Sequence, residues 1–226
     1  CDRHLRLSVQ QGRNSALNSN LSVIQFNMKI VLATGNKGKL TEFQHLLELL
    51  PFDILPQSDF EVPEAVEDGL SFVENALIKA RHASHLTDLP AIADDSGLEV
   101  DALNGAPGIY SSRFSGENAT DQQNNLRLLS LLQEVPREQR TARFHCLLVY
   151  LRHAKDPTPL ICQGTWEGLI GFTPEGDNGF GYDPLFYIPE MGCTSAQLGK
   201  EEKNRISHRA KAMALLQERL VSLYNP

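Results

Sequence analysis

The hydrophobic pattern of the chain begins with an uninterrupted apolar run at residues 30–33, which follows a long polar stretch. A run of this kind is typical of a strand that is covered on both faces of a sheet. Apolar residues then recur at helical spacing from Leu40 to Leu50, and Pro51 ends that pattern. The sequence therefore predicts a buried strand, a short loop and a helix.

Three more helices are predicted further along the chain. Ser71 and Thr120 each stand three residues before a glutamate or glutamine, as in a capping box, and begin helices expected to reach about residues 84 and 134. Another helical pattern covers residues 201–223, where Ser207 is placed to cap the more regular second part. The residues of that part predicted to face the core are Ala210, Met213, Ala214 and Leu220.

Strand signals lie between these helices. Residues 90–93 form a short buried run that passes directly into Asp94 and Asp95, so this acidic pair is expected at the end of a strand. Residues 98–102 alternate between apolar and acidic positions, as in a half-buried strand. Two longer apolar runs flank an Asp-Pro turn and predict an antiparallel hairpin across residues 144–170. The sheet is therefore expected to be mixed, in an α/β fold.

Length and composition indicate one globular domain. The chain has 226 residues, of which 41% are hydrophobic, and this suffices for one α/β domain with a substantial core. Residues 1–27 are polar, with arginines and serines, and we expect them to be a disordered leader outside a single domain at 28–226. No apolar run reaches the roughly 20 residues of a membrane-spanning helix, so a soluble protein is expected.

The net charge and the cysteines indicate which ligands and which cellular compartment to expect. A formal net charge of -7 argues against binding to duplex nucleic acid, which requires a broad basic surface. A phosphate ligand would instead need local cations, and a divalent metal can bridge carboxylates and phosphate oxygens. Cys1, Cys146, Cys162 and Cys193 show no C-x-x-C spacing, which favours free thiols in a reducing, cytoplasmic compartment.

The loop at residues 34–39 is a candidate phosphate site. Small residues and backbone N–H groups at a helix N-terminus bind anions, and Lys39 would add a positive charge. The loop is not a Walker A sequence, because Leu40 follows the lysine where that motif has serine or threonine. An ordinary strand-to-helix connection is the alternative.

The acidic pair is a candidate metal site. Asp94 and Asp95 leave the sheet interior side by side, and a bound Mg²⁺ would compensate their mutual repulsion while one carboxylate activates a water. A simple turn after the strand is the alternative. Glu67 is a candidate second metal ligand, although Glu64 and Asp68 compete for that role.

Polar and aromatic residues elsewhere complete a candidate nucleotide site. Asn75, in the first turns of its helix, is suited to hold a carboxylate or a phosphate oxygen. Phe180 and Tyr182 alternate with glycines, so a ring there can stack on a nucleobase, and Asp183 can accept from base or sugar donors or reach the metal. The donors expected for a purine 6-carbonyl are Lys203, His208 and Arg209.

Six motifs follow one another along the chain: T-G-N-x-x-K at Thr34, F-x-E-N-A-x-x-K-A at Phe72, D-D-S-G-L-x-V-D-A-L at Asp94, G-A-P-G-x-Y-S-x-R at Gly105, G-F-G-Y-D-P at Gly179 and S-H-R at Ser207. In wording and order they resemble those of the Ham1-like (RdgB-like) inosine triphosphate pyrophosphatases, above all the bacterial members. The resemblance runs over nearly all of residues 28–223. None departs from the family pattern, so an active enzyme is expected.

The resemblance implies an elongated α/β fold with a mixed sheet flanked by helices, an active-site cleft between two lobes, and a homodimer. It implies Mg²⁺-dependent hydrolysis of ITP, dITP and XTP to the monophosphate and pyrophosphate, which removes deaminated purines from the nucleotide pool. Glu67 and Asp95 would bind the metal, and Asp95, supported by Asp94, would be the general base. The residues implied to bind substrate are Thr34, Gly35, Asn36, Lys37, Gly38, Lys39, Ser96, Phe180, Gly181, Tyr182, Asp183, Lys203, His208 and Arg209.

Two other functions fit parts of the sequence. A pyrophosphatase acting on canonical or methylated pyrimidine nucleotides would share the acidic metal site, and a panel of substrates separates it from the purine enzyme. A non-catalytic nucleotide sensor would bind its ligand without turnover, and Asp94 and Asp95 argue against it.

Overall fold

The computed structural model describes residues 28–36, 38–40, 43 and 52–224. Its strands are β1 (Lys29–Ala33), β2 (Asp53–Pro56), β3 (Ala91–Val100), β4 (Pro107–Gly108), β5 (Thr141–Leu151), β6 (Leu160–Ile170), β7 (Phe186–Ile188) and β8 (Cys193–Thr194). They form one sheet in the order β2-β1-β3-β5-β6-β7-β8, with β4 paired to β3. β1 is parallel to β2 and β3, and the pairings from β3 to β8 are antiparallel. The predicted mixed sheet and the β5–β6 hairpin are confirmed.

Helices flank this sheet, as the α/β prediction requires. They are α1 (Phe72–Thr87), α2 (Asp121–Leu131), α3 (Lys200–Ile206) and α4 (His208–Tyr224). Residues 38–40 and 43 are also helical, and the rest of the helix predicted up to Leu50 lies outside the described residues. Ser71 and Thr120 cap α1 and α2 as predicted. At Ser71 the capping box is incomplete, because the Glu74 carboxylate accepts from the main-chain N–H of the residue before Ser71.

The sequence predicted the acidic pair at the end of a strand, and this is wrong, because the pair lies in the middle of β3. β3 is continuous over ten residues because it pairs with β5 along its whole length. The neighbouring strand β1 stops at Ala33, opposite Ala93. Asp94 and Asp95 therefore lie beyond the carboxyl end of β1, and this offset leaves room for a site beside them.

The predicted C-terminal helix is divided into two. Ser207 has an extended conformation between α3 and α4, with φ -67° and ψ 163°. Its Oγ accepts a hydrogen bond from the Ala210 N–H at 3.2 Å, so the predicted cap is confirmed. Of the four residues predicted to face the core, Ala214 is the exposed one, because it lies about 100° around the helix from the buried Met213.

The core explains why the run in β1 is apolar without interruption. Ile30 and Leu32 pack with α4 on one face of the sheet, whereas Val31 and Ala33 pack with the alanines of α1 on the other. A further cluster, which includes Trp166, lies under the other half of the sheet. β1 is thus covered on both faces, as its sequence predicts.

Three of the cysteines, Cys146, Cys162 and Cys193, are free as predicted, and Cys1 lies outside the described residues. In the described part of the chain, no helix has the length and apolar character needed to cross a membrane. The division into a leader at 1–27 and a single domain at 28–226 stays a prediction.

Candidate active site

A cavity of about 310 Å³ opens beside the acidic pair. Its walls come from the loop after β1, the acidic stretch with α1, β3, the glycine-rich loop after β6, and the junction of α3 and α4. The predicted site residues that line it are Thr34, Gly35, Asn36, Lys39, Glu67, Asp95, Ser96, Phe180, Gly181, Tyr182, Asp183, Lys203, His208 and Arg209. Gly38 and Asp94 are not among the residues that line the cavity, and Lys37 lies outside the described residues.

The loop after β1 is held by its own hydrogen bonds. The Asn36 N–H donates to Thr34 Oγ1 at 3.3 Å, and Asn36 Oδ1 accepts from the Lys39 N–H at 3.0 Å. Asn36 thus caps the following helical turn, and a capped helix N-terminus is suited to bind phosphate. Gly38 lies against the opposite wall, where an added Cβ atom would be 3.1 Å from Cδ1 of Phe180.

Asp94 is the most deeply buried carboxylate of the site, with 1% exposure. Its Oδ2 accepts from the Ser96 Oγ at 2.9 Å and lies 2.7 Å from the Lys39 Nζ. Burial alone would raise its pKa, but the charges of Lys39, Lys79 and Arg209 lower the pKa to about 2. Asp94 is therefore ionised at neutral pH and fixes Lys39 beside the cavity.

Asp95 reaches the cavity with one edge of its carboxylate and is 7% exposed. The Asn75 Nδ2 donates to its Oδ2 at 3.3 Å, and the Ser96 N–H donates to its Oδ1 at 3.1 Å. Asn75 is buried and holds a carboxylate, which is one of the two roles predicted for it. Burial raises the pKa of Asp95, against the opposing charges of Lys79 and Lys39. A raised pKa makes this carboxylate a stronger base.

Lys79 has no predicted role, yet it lies at the centre of the acidic site. Its Nζ is 3.2 Å from Glu67 Oε2 and 3.4 Å from Asp95 Oδ1. Burial alone would lower its pKa, but Asp94, Asp95 and Glu67 together raise it. The signal in the sequence is spacing, because Lys79 follows Asn75 by four residues and such residues share one helix face.

The predicted Mg²⁺ ligands Glu67 and Asp95 lie close together, since both contact the Lys79 ammonium. In this arrangement the ammonium supplies the positive charge between the two carboxylates, and their role as metal ligands stays a prediction. Mg²⁺ prefers oxygen ligands and is usually held by one or two carboxylates together with substrate phosphates. Among residues 28–36, 38–40, 43 and 52–224, no group of three or more His, Cys, Asp or Glu side chains surrounds a metal position. Of the two competing carboxylates, Glu64 lines the cavity and Asp68 does not.

The glycine-rich loop forms another wall, into which Phe180 presents its ring. The Phe180 N–H donates to Asp183 Oδ2 at 2.8 Å, the Lys203 Nζ lies 2.6 Å from the same oxygen, and the Ser195 Oγ donates to Oδ1 at 2.8 Å. Both oxygens of Asp183 accept hydrogen bonds from neighbouring residues, so it orders the loop. Its predicted contact with base or sugar donors stays a prediction. The charged groups of Lys203 and Arg209 lie 5.2 and 5.4 Å from the centre of the Phe180 ring.

Tyr182 anchors the same loop. It is buried, and its hydroxyl donates to the Ser111 carbonyl at 2.8 Å. Its ring belongs to the apolar cluster around Trp166. Of the two aromatic residues expected to stack on a base, Phe180 is therefore the one with a partly exposed ring, and Tyr182 holds the loop.

His208 is an uncharged ring at the start of α4. It is buried and stacks on Phe144, with 4.8 Å between the ring centres, and on Trp166 at 6.4 Å. Burial lowers its pKa well below 6.5, and the charges of Arg209 and Lys203 act in the same direction. Its Nδ1 has no hydrogen-bond partner in the described structure. A neutral imidazole offers a donor and an acceptor, and its tautomer decides which nitrogen is which.

We expect His208 to make stability depend on pH. Its pKa in the folded protein lies below the unfolded value, so the unfolded chain takes up the proton first and is favoured as the pH falls below 6.5. The contribution is at most about 1.4 kcal/mol of unfolding free energy per pH unit. His208→Asn should remove this dependence of the unfolding free energy on pH, when urea unfolding is measured from about pH 7 to about pH 5.5. Any packing energy that the substitution costs is the same at each pH and does not affect the comparison. Equal slopes in both proteins would contradict a buried neutral His208.

Several cavity residues besides Lys79 had no predicted role. They are Gln57, His82, Ser111, Ser112, Arg113, Asp121 and Asn124. Three of them belong to the motif at residues 105–113, which was a signal without an assigned role. The two from α2 carried no local signal, because the leucines of that helix indicate only a packed face.

The chain is similar to known proteins over most of its length. The model of the Ham1 family matches residues 30–219. The dITP/XTP pyrophosphatase of Vibrio cholerae is 60% identical over 188 residues, which cover 83% of this chain and 94% of that protein. The dITP/XTP pyrophosphatase of Escherichia coli (strain K12) is 59% identical over 192 residues, covering 85% of this chain and 98% of that protein.

A solved structure agrees with the fold. The HAM1 protein from Coxiella burnetii superposes with a TM-score of 0.82 at 50% sequence identity. The match covers 86% of this chain and 99% of the Coxiella chain. The similarity therefore extends over the sheet, the helices and the walls of the cavity.

Proposed function

The chain belongs to the Ham1 family, and on that premise we propose that it hydrolyses dITP, ITP and XTP to the monophosphate and pyrophosphate. The observation that carries the proposal is the cavity beside Asp95. It joins a phosphate loop and a pair of convergent carboxylates, Glu67 and Asp95, to an aromatic ring with buried donors beside it. Binding of the triphosphate at one end and of the purine at the other places the α-phosphorus near the acidic pair.

We propose that the triphosphate lies against the loop from Thr34 to Lys39, with Lys37 and Gly38 completing it. The N-terminus of a helix suits anionic oxygens, and Lys39 is fixed there by its ion pair with Asp94. Mg²⁺ held by Glu67 and Asp95 would neutralise phosphate charge when bound. Lys79, which contacts both carboxylates, keeps them converged.

Asp95 is the proposed general base. Its carboxylate lines the cavity, where it takes the proton of the water that attacks the α-phosphorus. The bond from the α-phosphorus to the bridging oxygen breaks, and pyrophosphate leaves with negative charge that Lys39 stabilises. Asp94 remains ionised and acts through Lys39 and Ser96.

The base would be recognised at the Phe180 wall. Phe180 stacks on the purine, and donors from Lys203, His208 and Arg209 pair with a 6-oxo group. Adenine carries a 6-amino group that leaves these donors unsatisfied, which costs a few kcal/mol. Guanine keeps the 6-oxo group, so its rejection must occur at its 2-amino edge. The Mg²⁺ requirement and a homodimer, which the family resemblance implies, are further parts of the proposal. A cytoplasmic location, which the free cysteines favour, is another.

A substrate panel tests this function. The protein is incubated with Mg²⁺ and, separately, ITP, XTP, GTP, ATP and dUTP, and pyrophosphate and orthophosphate are measured. We expect pyrophosphate from ITP and XTP, with kcat/KM for ATP lower by roughly a hundredfold. In ¹⁸O-labelled water, the label should enter the monophosphate, because water attacks the α-phosphorus. Chelation of the metal should stop the reaction.

Other results would contradict the proposal. Orthophosphate as the first product, or equal turnover of ATP, would exclude the mechanism or the base selectivity. Turnover of dUTP alone would indicate a pyrimidine nucleotide enzyme, and tight binding of ITP without turnover would indicate a sensor.

A further inference from the structure

Helix α2 holds Gly181, the residue after Phe180, through both its N–H and its carbonyl. The Gly181 N–H donates to Asp121 Oδ2 at 2.7 Å, and the Gly181 carbonyl accepts from Asn125 Nδ2 at 2.9 Å. Asp121 and Asn125 are four residues apart, so both project from one face of α2. We call these two hydrogen bonds the Gly181 clamp.

The first turn of α2, which carries Asp121, is itself held in place. Thr120 forms a complete capping box at the start of α2, which sets the direction of its first turn. Asn124 accepts from the Ser115 N–H at 2.8 Å and donates to the Ser112 carbonyl at 3.0 Å. Because Tyr182 bonds to the same segment through Ser111, the start of α2 and the glycine-rich loop share one support.

The clamp matters because it joins α2 to the loop beside a gap between them. A second cavity of about 410 Å³ lies between α2 and the loop, lined by Leu126 and Leu129 of the helix and by residues 176–181. Gly181 has a positive φ of 61°, a conformation that glycine adopts without strain, so its backbone has few intrinsic restraints. Phe180 immediately precedes it and is held on its other side by Asp183.

We propose that Asp121 and Asn125 are positioning residues for base recognition, which act by setting the Phe180 ring through Gly181. The inference rests on the proposed function, since the ring is taken to stack on the purine. Neither residue needs to reach the phosphates or Asp95. A loosened clamp therefore weakens binding of the base and leaves the reacting end of the cavity unchanged.

The first test compares Asp121→Ala with Asp121→Asn in steady-state hydrolysis of ITP and ATP. Asparagine keeps an oxygen that accepts from the Gly181 N–H, whereas alanine removes it. We expect Asp121→Ala to raise KM for ITP by roughly tenfold, with kcat within about threefold of wild type and reduced preference for ITP over ATP. Asp121→Asn should restore most of the loss. Gln122→Ala, on the next position of α2, is the matched control and should behave as wild type.

The second test needs no substrate. Amide hydrogen exchange of the segment 178–184 should be faster in Asp121→Ala than in wild type, Asp121→Asn or Gln122→Ala, because the clamped Gly181 N–H loses its acceptor. Asn125→Ala should give the same change through the carbonyl side, and it serves as the second variant if Asp121→Ala does not fold.

The outcomes separate this inference from the proposed function. Wild-type exchange together with wild-type KM in Asp121→Ala and Asn125→Ala would overturn it, even if the wild-type enzyme hydrolyses ITP as expected. Equal losses in Asp121→Ala and Asp121→Asn would also overturn it, because the negative charge and not the hydrogen bond would be responsible. Failure of the wild-type protein to hydrolyse ITP would refute the function, whereas the exchange result would still decide whether the clamp orders the loop.

Discussion

Replacing Asp95 by asparagine is expected to lower kcat for ITP hydrolysis by at least about a hundredfold while the protein stays folded. Asparagine has nearly the shape of aspartate and keeps an acceptor for the Ser96 N–H, which bonds Oδ1 at 3.1 Å. It has no basic carboxylate to take a proton from water, and it removes one of the two charges that contact Lys79. The main loss should therefore appear in the reaction, whereas the fold loses the acceptor for the Asn75 Nδ2.

The measurement is pyrophosphate release at saturating ITP, with thermal unfolding to verify the fold. Asp68→Asn is the matched control, because it removes one charge from the nearby acidic stretch at a residue that does not line the cavity. A kcat within threefold of wild type for Asp95→Asn would mean that another group is the base. A loss in Asp68→Asn as large as in Asp95→Asn would mean that total charge, and not the position of Asp95, explains the effect.

The first residues of the helices were predicted correctly from the sequence, because the signals for a helix start act within one turn. Ser71, Thr120 and Ser207 each accept from a main-chain N–H three residues on, so the signal and the structure are neighbours in the chain. The end of β3 has no such local cause. It is set by pairing with β5, a strand far away in the chain, and two adjacent carboxylates inside the strand indicate an end when read alone.

The sequence predicted many of the residues that form the site, but it did not predict which of them contact each other. A charged residue inside a helix, such as Lys79, usually lies in solvent, and only the folded chain brings it to Glu67 and Asp95. Asp183 offered a free carboxylate in sequence, but Lys203 and Ser195 engage it in the structure. Motifs thus indicate which groups meet at a site, whereas their partners depend on residues distant in the chain.

Replacing Lys39 by methionine is expected to lower both stability and activity. Asp94 is 1% exposed, and its Oδ2 lies 2.7 Å from the Lys39 Nζ. Removal of one partner leaves a buried charge without compensation, which costs roughly 3–5 kcal/mol of unfolding free energy. Because Lys79 and Arg209 still act on Asp94, we expect a loss near 3 kcal/mol, at the lower end. Hydrolysis of ITP should fall by roughly a hundredfold, since the phosphate loop loses its charge.

The double variant Lys39→Met, Asp94→Asn separates the two effects. The amide carries no charge and keeps an acceptor for the Ser96 Oγ, so most of the stability should return while hydrolysis stays low. Urea unfolding of the wild type, both single variants and the double variant gives the coupling free energy. Lys155→Met, at an exposed lysine outside the cavity, should leave stability unchanged. A double variant as unstable as Lys39→Met would show that the Asp94 charge is not the cause, and recovered hydrolysis would show that Lys39 acts only on Asp94 and not on the substrate.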